Sequence, residues 1–343
     1  MKLHLTLLAI PTLALAADHP SLTSEVFATY TPPAPADHAP ATIATSAKTF
    51  LASLTDELRT HASLKLDDPE RQKWTNVPPR GPQGGVRLGD CDKAQLQAAA
   101  NFLRTTFSLQ GYEKARNILL ADDKLLRNGQ PRDGFGAENY WLAIFGEPSS
   151  TGKWAIQLDG HHVAFNLTFH GDNVSMSPSF IGTQPAAFKL ANKTITVMRG
   201  EDTGAFKLVQ SLDGQQKNAA IVSPVRTRIA TAAGKDGVVP DPVGVSCKTF
   251  NADQKKLLIR LLRQYTGDLP KPYAPKRLKA LRAEIDQMKF AWSGPITDDS
   301  DVSYRIQGPT LIIEYACQDL GGNPRDHLHS MYRNPTNEYG MGQ

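Results

Sequence analysis

Nine histidines occur in the 343-residue chain, and five of them fall in two short segments. One is Gly160-His161-His162-Val163-Ala164-Phe165-Asn166-Leu167-Thr168-Phe169-His170, the other Asp326-His327-Leu328-His329-Ser330-Met331-Tyr332-Arg333. A neutral imidazole donates a lone pair without bringing a charge, so histidine is the commonest protein ligand for zinc and copper. Side chains alternate along a strand, so His327 and His329 are expected on one face as a chelating pair. By the same alternation His162, Asn166, Thr168 and His170 are expected on one face, with Val163, Phe165, Leu167 and Phe169 on the apolar one.

What positions these residues is suggested by an internal repeat. Gly85-Val86 is followed by Gln95 and Leu103-Arg104, and Gly244-Val245 at the same spacing by Gln254 and Leu262-Arg263. Asp92 and Asn251 each precede the glutamine by three residues, a capping-box variant that opens a helix. Further on, Phe145-Gly146 precedes Gly160 by the same spacing that separates Ser293-Gly294 from Gly308. Asp159-Gly160 and Gln307-Gly308 are read as turns between alternating apolar runs, so each unit is a β-hairpin. The expected fold class is α+β, with two pseudo-equivalent halves (approximately 44–200 and 201–343) in a single 44–343 domain. Each half is a helical layer followed by an antiparallel β-hairpin, with the hairpins joined in one sheet.

Aligning the repeats sets Gln157 against Arg305 and Asn166 against Glu314. A turn at Gln307-Gly308 places Arg305 opposite Thr310, with Glu314 further along the same face. Glu314 sits in the apolar run Ile312-Ile313-Glu314-Tyr315-Ala316, where a lone carboxylate is costly to bury, so it requires Arg305, a metal or a proton. The resulting expectation is one zinc or copper ion held by His161, His162, His327 and His329. Glu314 would be a further ligand or general base, and Arg305 or Arg333 would hold an anionic or carbonyl group. Such an ion lowers the pKa of bound water to ~7 for hydrolysis, or supports oxidative chemistry. The competing reading is a non-catalytic binding or structural protein in which the same residues form a satisfied network. A glycan hydrolase built on Glu314 lacks a second acid. No Gly-x-Ser-x-Gly elbow, phosphate-binding Walker loop, dinucleotide fingerprint or His-Glu-x-x-His motif occurs.

The amino terminus gives an address. Met1-Lys2 precedes an apolar run to Ala17 ending Ala14-Leu15-Ala16-Ala17, the pattern of a secretory signal peptide over residues 1–16. A Pro/Ala-rich arm occupies 17–43, its stretch from Thr31 to Pro40 expected to be extended, and helical periodicity begins near Ala44 with Phe50, Leu51, Leu54 and Leu58. An exported, extracellular protein with three cysteines, Cys91, Cys247 and Cys317, is expected to form one disulfide and keep one free thiol. The net charge of +4 is not gathered into a block, and the basic stretch Lys271–Arg282 is read as a solvated helix face. Neither a nucleic-acid footprint nor a membrane span is therefore expected, and the partner is an extracellular small molecule or polymer.

Several of these segments together resemble a known family. Pro69-Glu70-Arg71-Gln72-Lys73-Trp74, Gly146-Glu147-Pro148, Trp154 through His162, Phe290-Ala291-Trp292-Ser293-Gly294, Tyr304-Arg305-Ile306 and His327-Leu328-His329 through Pro335 are similar to the family catalogued as domain of unknown function 3500. The similarity runs from about Phe50 to Tyr339 and touches His161, His162, Arg305, Glu314, His327, His329 and Arg333. It implies a unified fold and export, and assigns no reaction.

Overall fold

The computed structural model describes residues 20–127, 133–319 and 322–342. Residues 1–16, read above as a signal peptide, lie outside them. Eight principal strands carry the fold: Tyr140–Phe145 (β1), Lys153–Gly160 (β2), Val163–His170 (β3), Ser179–Thr183 (β4), Lys289–Ser293 (β5), Ser303–Gly308 (β6), Leu311–Cys317 (β7) and Leu328–Arg333 (β8). With short flanking strands they form one mixed sheet, in which the principal order is β1-β2-β3-β4-β8-β7-β6-β5. The architecture is mixed helix and sheet, as the α+β expectation requires. The hairpins β2–β3 and β6–β7 do not adjoin; β4 and β8, paired antiparallel, lie between them.

Both flanks of the sheet use the same local devices. Ser63–Leu64 pairs in parallel with β1, and Ile221–Ser223 in parallel with β5. Val86–Arg87 and Val245–Ser246 pair antiparallel with the same two strands. Each is preceded by a positive-φ glycine, Gly85 or Gly244, where a Cβ would strike the backbone of Leu142 or Phe290. The helices Lys93–Thr106 and Ala252–Thr266 both open with the expected capping box. Their glutamines, Gln95 and Gln254, also donate to the carbonyls of Ser53 and Ser211.

Among the described residues the helices are Leu22–Thr29 (α1), Pro40–Ser53 (α2), Asp56–Ala62 (α3), Lys93–Thr106 (α4), Leu109–Arg127 (α5), Arg199–Gln210 (α6), Gly214–Ala220 (α7), Ala252–Thr266 (α8) and Tyr273–Ala283 (α9). They meet one face of the sheet: Phe107 packs on Phe165, Phe206 on Trp292, and Tyr265 stacks on Tyr332. The other face is covered by two long loops, 65–85 and 224–244. Trp74 lies against Phe180 there, and Arg71 reaches Thr168 Oγ1 (2.8 Å).

Four expectations are corrected. The segment 17–43 is not all arm: residues 31–39 carry no helix, but Leu22–Thr29 forms α1, capped by Ser21 and anchored by buried Val26 and Phe27. The helix after Ala44 breaks at Leu54, since Thr55 accepts from Leu58 N and starts α3. No disulfide forms: Cys91, Cys247 and Cys317 are each buried as free thiols, packed as small apolar side chains. Burial pushes Cys91 and Cys247 up to about 12, far from reactive thiolates. Finally, the hairpin turns fall at His161-His162 and Pro309-Thr310, so Arg305 pairs with Glu314 rather than Thr310.

Candidate metal centre

The shifted turn changes what His162 is. It is a corner residue rather than a strand residue, and its φ of 69° is left-handed, a region that non-glycine side chains rarely occupy. Surrounding contacts hold it there. Gly182 N donates to the His162 carbonyl (2.6 Å), and the Tyr140 hydroxyl donates to the His161 carbonyl. The corner thus turns the His162 ring over β4 toward β8.

On β8, alternation delivers what it promised. His329 stands opposite Gly182 of β4, and His327 immediately precedes the strand. His162 Nε2 lies 2.9 Å from His327 Nε2, which lies 3.0 Å from His329 Nε2. Gly182 makes the convergence sterically feasible, because a Cβ there would sit 2.9 Å from Cδ2 of both His162 and His329. Burial, then the neighbouring imidazoles, hold His162 and His329 well below the usual histidine range. Both are neutral at pH 7, with lone pairs available. His162 and His327 are buried, and His329 is half-buried.

The contacts themselves favour a shared cation. An imidazole nitrogen carries one proton or one lone pair, so His327 Nε2 cannot make two ordinary hydrogen bonds at once. Three nitrogens each ~2.0–2.1 Å from a tetrahedral zinc would lie roughly 3.3 Å apart, close to the spacing seen.

His161 occupies a different position from its neighbour. Its ring stacks on His162 (centroids 3.6 Å apart) and on Phe135, while Nδ1 meets Asp122 Oδ1 at 2.6 Å. Asp122, fully buried on α5, also accepts from Gly136 N (3.0 Å), and burial raises its carboxyl above the usual range. Asp122, His161 and His162 form a second donor group that shares His162 with the first.

Glu314, Arg305 and Arg333 are engaged elsewhere. The Glu314 carboxylate accepts from Thr231 N (2.9 Å), Thr231 Oγ1 (2.6 Å) and Ala230 N (3.0 Å), pinning the loop 224–244. Arg305 Nε lies 3.9 Å from Glu314 Oε1. Arg333, wholly buried, donates to the Thr231 carbonyl (2.8 Å) and pairs with Asp236 and Glu338. His170 ends β3, exposed and outside both donor groups.

A family model described as Protein of unknown function (DUF3500) matches residues 37–341. The chain belongs to this family. No curated protein and no solved structure matches it. In this DUF3500 chain, sequence reasoning missed two residues that matter to the centre. Asp122 was discoverable as an acid on the apolar face of α5, between Ile118 and Leu125 at helical spacing. Gly182 carried no signal, since the need for a bare backbone arises only when β4 is set between His162 and His329.

Proposed function

We propose that this is a secreted metal-dependent enzyme, a hydrolase or oxidoreductase, whose zinc or copper ion is held by Nε2 of His162, His327 and His329. The observation that carries the reading is the approach of two ring nitrogens to within 2.9 and 3.0 Å of His327 Nε2, contacts that imidazole protons meet only by sharing one proton or one lone pair between two partners. Three histidines leave a fourth position, and the partial exposure of His329 gives that position a side open to solvent. An ion there would supply Lewis acidity or a nucleophilic hydroxide. The chain's own contribution is to aim three rings and to brace His162 by His161, itself fixed by Asp122. Secretion rests on the signal-like segment 1–16. The matched capping boxes, parallel edge strands and hairpins support an origin by duplication, with the centre at the seam between the halves.

The experiment is elemental analysis of protein purified without added metal. About one equivalent of zinc or copper, absent from His327→Ala and His329→Ala, is expected. Metal well below stoichiometry, with melting unchanged by chelator, would overturn the proposal.

A second reading draws on the way Glu314 and Arg333 tether loop 224–244. In it the protein is non-catalytic, and the histidines complete the same structural network. It predicts that His327→Ala lowers stability without altering any metal content.

A further inference from the structure

The basic stretch Lys271–Arg282 contains five cations and no acid, and the structure sorts them into two groups. Lys276 donates to Asn173 Oδ1 (2.7 Å), and Arg277 to the Tyr332 hydroxyl (2.7 Å) and Thr310 Oγ1 (3.0 Å), so both serve the fold. Lys271, Lys279 and Arg282 have no ion-pair partner among the described residues, and all three line one cleft. Arg263 of α8 joins them, and no aspartate or glutamate lies in the wall.

The cleft holds about 520 Å³ between the end of α8, α9 and the α4–α5 turn. That size falls within the range of small-molecule sites. Its floor includes buried Leu269 and Leu278. Thr266, also in the wall, is 1% exposed, and its Oγ1 has no hydrogen-bond partner. An unmatched buried hydroxyl is costly, and a ligand oxygen would satisfy it. The first turn of α9 lines the cleft, and that helix opens on Pro272 with no side-chain cap and no acid in its first turn. The opposing negative end of α8 is neutralised: the Arg263 carbonyl accepts from Gly267 N, and the Gln264 carbonyl from Gln110 and Lys114.

We infer that this cleft binds a small amphiphilic anion, a carboxylate with a medium-length alkyl tail. The tail lies on Leu269 and Leu278, and the head is held by Lys271, Lys279, Arg282 and the Thr266 hydroxyl. An apolar floor alone would take any hydrophobe, and cations alone any anion. Their combination around an orphan hydroxyl selects a molecule with both parts.

The test is calorimetric titration of the full chain with decanoate, with acetate and decanol as single-feature controls. Decanoate is expected to bind at least about tenfold more tightly than either control. The double variant Lys279→Ala/Arg282→Ala, at exposed positions, should weaken decanoate about tenfold with an unchanged Tm. Thr266→Val, which keeps shape and removes only the hydroxyl, should weaken it several-fold by the loss of one hydrogen bond. Equal affinity for acetate or decanol would overturn the inference, as would decanoate binding indifferent to both variants. Capture by phosphatidylglycerol vesicles without binding of free decanoate would also overturn it, assigning the patch to a membrane surface.

Discussion

The two hairpin corners, His161-His162 and Pro309-Thr310, occupy matching places and resolve their polar groups in opposite ways. At the second corner Thr310 Oγ1 donates to Glu284 (2.9 Å) and accepts from Arg277 (3.0 Å), which also serves the Thr310 carbonyl. Every strong group there meets a complementary one. At the first corner His162 Nε2 meets His327 Nε2, a like atom. A closed circuit of donors and acceptors does structural work; like atoms facing each other invite a third party.

The same comparison extends to the Arg305/Glu314 rung. Its counterpart is the neutral pair Gln157–Asn166, with Gln157 Nε2 donating to Asn166 (2.6 Å) and to the Arg71 carbonyl of loop 65–85. Glu314 tethers loop 224–244 in the corresponding way. Charged Glu314 and neutral Gln157 perform one task, loop anchoring, so the charge is not itself a sign of catalysis.

The contrast between corners can be broken most directly at the histidines. His327→Ala should cut bound metal from about one equivalent to less than about a tenth, since two donors cannot replace three; retention of the ion in elemental analysis would make the two corners alike. Gly182→Ala should leave the fold intact while lowering metal affinity about 10–100-fold, because the new Cβ displaces His162 and His329. Competition with a chromogenic chelator reads this, and unchanged affinity would show that the rings do not need their present spacing. Glu314→Gln should cost about 1–3 kcal/mol in urea melts through imperfect pairing with loop 224–244, with metal content unaffected. Loss of metal in that variant would return Glu314 to the centre.

The smallest effect concerns Asp159, whose matching position holds Gln307. Each contacts a covering loop: Asp159 accepts from Thr75 N (3.1 Å), and Gln307 donates to the Pro240 carbonyl. Burial pushes the Asp159 carboxyl well above its ordinary 3.8. The folded state therefore binds a proton that the unfolded state has lost, and stability falls as pH rises above about 4. Asp159→Asn, which mimics the neutral acid, should gain on the parent between pH 4 and pH 7 in paired urea melts. A constant difference across that range would show that Asp159 is ionised in the fold.

Much of the centre was readable from the chain. Period-two alternation put His327 and His329 on one face, and a glycine between apolar runs marked the corner that carries His161 and His162. The rest depended on distant segments. A two-residue error in the turn moved His162 off the strand and changed the partner of Arg305, because the glycines end strands β2 and β6 instead of forming the corners. The insertion of β4 and β8 between the hairpins has no local sequence signature, and it decides which residues meet. The disulfide expectation failed because compartment predicts cysteine chemistry only where two thiols can meet.

The seam between β4 and β8 carries a temporal consequence. His162 and His327 are separated by 165 positions along the chain. Contacts of such separation form late, after the loop between their ends has been closed. A nascent or half-folded chain has no three-nitrogen pocket to offer, so an ion captured there would register the completed molecule, and its dissociation would be an early step in coming apart.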